Sequence, residues 1–77
     1  MGPREKERVL QLCREVDLLV TLDPGASDVG VLERARCKMN ELVREEDLSA
    51  AEEVALAITQ LHAGVDADEY VRKYGLR

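Results

Sequence analysis

Between Ser49 and Leu76 the chain alternates helix-forming runs with glycine stops, and this punctuation limits the possible folds more than any other feature. Ser49-Ala-Ala-Glu52 has the form of a capping box, in which hydroxyl and carboxylate each satisfy a free backbone N–H at a helix start. An apolar-periodic run follows to Ala63, with Val54, Ala55, Ile58, Leu61 and His62 on the inward face. Gly64 suits the left-handed residue just past a helix end, and Asp66 is a strong N-cap with Glu69 three residues on. Val65 and Tyr70 stand at hydrophobic-staple spacing across that cap. A helix over 49–63 and a short one over 67–74 are predicted.

The preceding half repeats the helical spacing. Pro3 favours the first position of a helix, and Val9, Leu12, Cys13, Val16, Leu19 and Val20 form one apolar stripe, which predicts a helix over 3–22. Leu10, Leu18 and Leu22 lie outside that stripe. With apolar residues on nearly two faces, this helix is either the central helix of the monomer, the favoured reading, or the carrier of an interface. Asp23-Pro-Gly-Ala-Ser-Asp28 is a loop, because proline turns Asp23 away from helix and Pro-Gly favours a tight turn. Ser27 or Asp28 then caps a helix over 28–46 with Val31, Leu32, Ala35, Met39, Leu42 and Val43 inward. Glu33–Arg36, Lys38–Glu41 and Glu41–Arg44 are expected surface pairs on it. The connection to the next helix is short and lacks Gly and Pro, so a tight corner is expected. The fold class is therefore all-α, a single domain over 1–77 with three main helices and a short fourth.

Seventy-seven residues without Phe or Trp must build their core from small aliphatics, which leaves little margin over chain entropy. Some further stabilisation is expected. A disulfide is a poor candidate, because Cys13 and Cys37 each fall within a helical pattern with no secretory segment ahead, and both read as reduced core residues of a cytoplasmic protein. Self-association, or a partner that covers apolar surface, fits better. No apolar run approaches the roughly 18 residues of a membrane span.

The net charge of −5 disfavours phosphate contacts, and nucleic acid is not an expected partner. Arg4, Lys6, Arg8 and Arg14 line the first helix, but Glu5, Glu7, Glu15 and Asp17 neutralise them. Catalytic signals are absent from the sequence. The single histidine, His62, lies on an inward stripe where it reads as structural, and nothing in the spacing sets it beside a cysteine. With no CxxC or HxxxH element, a zinc site is not expected, and Asp66, Asp68 and Glu69 read as helix-start residues. No enzyme, cofactor or metal is expected.

One charge feature stands out. Glu45, Glu46 and Asp47 end the second helix and Glu52 and Glu53 open the third, which gathers five carboxylates at one corner. Glu45 and Glu46 sit at the negative end of a helix, where their charge is mildly unfavourable, so they read as a docking site for a basic protein surface.

The stretch Ile58 to Leu76 resembles part of a helix-turn-helix domain, with an apolar helix before Gly64-Val65 and a short helix ending in Tyr74-Gly75-Leu76. In that family a recognition helix follows and carries the base contacts. The sequence reaches Arg77 without one, so the resemblance implies a shared packing solution more than DNA binding. The short, acidic, all-helical build also suits phage-encoded inhibitors of a host nucleic-acid enzyme or CRISPR complex. The leading expectation is a regulatory protein–protein interaction module. Glu45, Glu46, Asp47, Glu52 and Glu53 would contact a basic partner, and Leu10, Leu18 and Leu22 would form a homodimer.

Overall fold

Four helices follow one another in the computed structural model, which describes every residue except Met1, Pro24, Ala26 and Ser27. They are α1 (Pro3–Leu22), α2 (Val29–Arg44), α3 (Leu48–His62) and α4 (Asp68–Lys73), with no strand among the described residues. The all-α bundle expected from the apolar spacing is the observed fold.

α1 begins with Pro3 at its first position and stops where the residue before proline must leave helical space. Asp23 is extended at φ −149° and ψ 90°. α2 is capped by Asp28, whose carboxylate accepts from the Val31 N–H at 3.2 Å. The rival cap, Ser27, lies outside the described residues.

Beyond α1 the helix boundaries differ from expectation by one or two residues, and the contacts explain three of them. α2 ends at Arg44, not 46, because the chain closes it with a paired turn: the Glu46 N–H bonds the Val43 carbonyl at 3.1 Å and the Asp47 N–H bonds that of Leu42 at 3.0 Å. Such a closure needs a left-handed residue, and Glu46 takes that conformation at φ 61° where glycine would be usual. The same turn leaves the Asp47 carboxylate facing the start of α3, where Oδ1 accepts from the Ala50 N–H at 3.3 Å. Asp47 is therefore the cap, Leu48 is already helical and buried, and Ser49 sits exposed inside the first turn. The Ser49–Glu52 capping box does not form. α4, by contrast, starts one residue later than expected. Asp66 Oδ1 accepts from the Asp68 N–H at 2.9 Å, Ala67 is the buried N-cap residue, and Val65 is left exposed, so the Val65–Tyr70 staple is absent.

α3 occupies the centre of the bundle and packs against α1, α2 and α4, the role expected for α1. Its small side chains explain this. Ala51, Ala55 and Ala57 are fully buried and let neighbouring helices approach closely around Val54 and Ile58. Leu32 and Met39 of α2, Val9, Cys13, Val16 and Val20 of α1, and Val71 and Leu76 complete the core. The Cα radius of gyration, 11.6 Å, is that of a tightly packed chain of this length, about 11.5 Å.

Polar contacts fix the helices to one another. Arg36 forks between Glu33 on its own helix and Asp17 of α1 (3.0 Å), and Asn40 also donates to Asp17 (3.3 Å). Lys38–Glu41 closes at 3.9 Å as expected, whereas no Glu41–Arg44 pair forms among the described residues. Glu53 receives Lys73 at 2.8 Å and the Tyr74 hydroxyl, which ties α4 to α3. Beyond α4, Gly75 (φ 62°) closes the helix, Leu76 is buried, and the Arg34 Nε–H donates to the Leu76 carbonyl at 2.7 Å.

Candidate functional site

The fold already occupies most of the five acidic residues of the corner. Asp47 caps α3. Glu52 pairs with Arg8 of α1 at 2.7 Å, and Glu53 holds Lys73 and Tyr74. Lys73, hydrogen-bonded to Glu53, is the main reason that this carboxyl lies below its ordinary range. Burial, followed by the same carboxylate, pushes the Tyr74 phenol up. Glu45 and Glu46 remain, both exposed and without a cation partner among the described contacts. The corner is thus a pair of free carboxylates on a rigid turn, flanked by three carboxylates that hold the fold.

The three leucines expected to form an interface separate. Leu10 is half-buried and packs on the core, so it belongs to the fold. Leu18 and Leu22 point away from it, 58% and 76% exposed, one helical turn apart. Val29 at the start of α2 (57%), Val65 after α3 (53%) and Leu56 within α3 (43%) are the other exposed large aliphatics. The sequence pattern assigns Val65 to a staple with Tyr70, and it gives Val29, directly after the Asp28 cap, no role.

His62 sits at the rim of the core, near the end of α3. Its Nε2–H donates to the Asp23 carbonyl at 2.7 Å, which fixes the proton on that nitrogen. The imidazole also lies where a side chain at Gly25 would meet it at 3.4 Å, and Gly25 takes φ +71°. His62 therefore anchors the α1–α2 loop to α3. Neither thiol meets the ring. Cys13 Sγ lies 4.0 Å from the Ala51 carbonyl oxygen, and burial, then Glu52, raises its pKa. Cys37 is exposed, contrary to the core position expected, because it lies between Ala35 and Met39 on the opposite side of α2. It borders a groove of about 300 Å³ between α2 and the Tyr74–Leu76 turn. Among the described residues no three potential metal ligands cluster, and no helix is long and apolar enough to cross a membrane.

No protein-family model, curated protein or solved structure matches the chain.

Proposed function

We propose that the protein is a non-enzymatic interaction module that binds a positively charged protein surface and acts as a regulator within the cytoplasm. The observation that carries this reading is the Glu45–Glu46 pair. Both carboxylates are exposed on a turn held by Asp47 and by the Leu42 and Val43 carbonyls, and Glu46 occupies a left-handed conformation that glycine would adopt with less strain. A side chain kept where it disfavours the fold is accounted for by a role outside the fold. The absence of a sequence signal for catalysis and the lack of a Cys–His contact support the non-enzymatic part. Capture of partners from the source cell, with the Glu45→Lys/Glu46→Lys variant alongside, tests the reading. The partner should be lost or weakened in the variant and by salt, and equal capture by both proteins would refute the corner's role. An inhibitor of a nucleic-acid enzyme is one form such a module takes, since those enzymes present basic surfaces.

A second reading is self-association through the outer face of α1, favoured by the exposure of Leu18 and Leu22. Sedimentation across a wide concentration range decides it. DNA binding is the weakest reading. The Ile58–Leu76 end that resembles a helix-turn-helix is locked by Glu53, Lys73 and Arg34, and its charges are mixed, with Asp66, Asp68 and Glu69 beside Arg72 and Lys73.

A further inference from the structure

We propose that the chain from Ala67 to Arg77 is an autoinhibitory strap. It leaves the bundle as one unit while α1, α2 and α3 stay folded, and a lysine-rich segment of the partner then replaces Lys73 on Glu53. This rests on the reading above that the partner is basic, and it names the contact within the chain that competes with that partner.

α4 does not stand alone. Its six residues are fewer than the roughly 12 that an isolated helix needs, so it exists only while docked. Of the described helices only α3 packs against it, whereas α1, α2 and α3 all pack on one another. Undocking α4 therefore leaves the packing among the three long helices in place. Ala63, Gly64, Val65 and Asp66, which join α3 to the strap, are all exposed, and Gly64 takes φ 79°. A segment with one neighbour and an exposed joint is a unit of local opening.

Few contacts hold the strap. Val71 and Leu76 reach the core and Ala67 is buried at the start of α4. The polar ties to the rest of the bundle are Lys73 to Glu53 at 2.8 Å, the Tyr74 hydroxyl to the same carboxylate, and the Arg34 Nε–H to the Leu76 carbonyl at 2.7 Å. Arg77–Asp68, at 3.0 Å, joins two residues of the strap and moves with it.

Glu53 is where strap and partner compete. Lys73 sets an ammonium on a carboxylate whose side chain is still 37% exposed, which is the contact a basic protein surface would make. Exposed pairs of this kind are weak, so another cation can take the place of the first. Burial, then Glu53, raises the Tyr74 phenol, and Asp47 adds to it, so the aromatic end of the strap lies within electrostatic reach of the α3 cap that follows Glu45 and Glu46. A lysine-rich segment that binds the open form holds the strap away, and the docked strap lowers that segment's apparent affinity in proportion to the time it stays closed.

Hydrogen exchange of the whole chain, followed residue by residue by NMR, tests the opening. The Val71, Tyr74 and Leu76 N–H groups, bonded to the Ala67, Tyr70 and Val71 carbonyls, should share one protection factor, at least about tenfold below those of Ala55 and Ile58 in α3. Arg34→Gln and Glu53→Gln should each speed exchange of these three amides about two- to fivefold, with α3 protection unchanged as the check that the core stays folded. An excess of octalysine should speed strap exchange at least about twofold in the wild type but not in Glu53→Gln, and octaglutamate should do nothing. Equal protection of strap and α3 would overturn the inference. So would strap exchange unaltered by octalysine while the signals of Glu45 and Glu46 shift, an outcome that leaves the basic-partner reading standing. Octalysine that shifts no signal would overturn both. The same acceleration in Glu53→Gln would overturn the competition at Glu53.

Discussion

Single residues at the α2–α3 corner separate folding from function. Glu46 holds a left-handed backbone that disfavours any residue with a Cβ, so Glu46→Gly should stabilise the protein by about 0.5–1 kcal/mol after the added flexibility of the unfolded chain is allowed for. A shift of the urea midpoint to higher concentration is expected, together with weaker partner capture; a lower midpoint would contradict the strain argument. One residue further on, Asp47→Ala should destabilise by about 1 kcal/mol through loss of the cap, whereas Ser49→Ala should be close to neutral. The corner also illustrates what a sequence hides. Ser49-x-x-Glu52 is a well-formed capping pattern, but Asp47 lies two residues ahead of it and reaches the α3 N–H groups first. Which of two adequate caps is used depends on how the previous helix closes, and that closure relies on Glu46, a residue with no turn signature.

At the level of helices, the attachment of α4 should depend on pH in both directions. Glu53 is held below its ordinary range mainly by Lys73, so its contribution is complete above the usual glutamate pKa and fades as the pH falls through its lowered folded value. Lys73, raised mainly by Glu53, contributes below the ordinary amine range and loses that contribution as the pH rises through its folded value. Tyr74 is raised as well, so its neutral form supports the fold until alkaline pH ionises it. The urea midpoint of the wild type should therefore fall toward both extremes, and Glu53→Gln should flatten the acid side. If wild type and variant lose stability in parallel down to about pH 3, the Glu53 cluster does not control that limb. The central position of α3 has a different origin. Counting apolar residues favoured α1, since leucine and valine are conspicuous and alanine is not. Yet Ala51 and Ala55 decide the matter, because small buried residues set how closely helices pack. Enlarging either, as in Ala55→Leu, should destabilise by about 1–3 kcal/mol, measured by thermal or urea unfolding. The extent of α1 and the inward residues of α2 were legible for the opposite reason: proline and a regular aliphatic stripe act locally and need no knowledge of neighbours.

For the molecule as a whole, the uneven spread of charge is the property to measure. Binding of a basic partner should weaken as salt rises from low to physiological concentration, chiefly through slower association. Salt-independent binding would point to an apolar interface alone. Sedimentation of the wild type and of Leu18→Gln/Leu22→Gln tests whether these leucines hold two copies together, and a monomer at high concentration would leave them free for a partner.

The three helix ends closed at Glu46, Gly64 and Gly75 have a kinetic meaning as well. At each of them a backbone N–H turns back onto a carbonyl of the helix just left, so the chain departs from it within two or three residues. Most of the native structure can therefore form between neighbours along the chain, with little loop-closure entropy to overcome, and folding is expected on the microsecond-to-millisecond scale of small helical bundles.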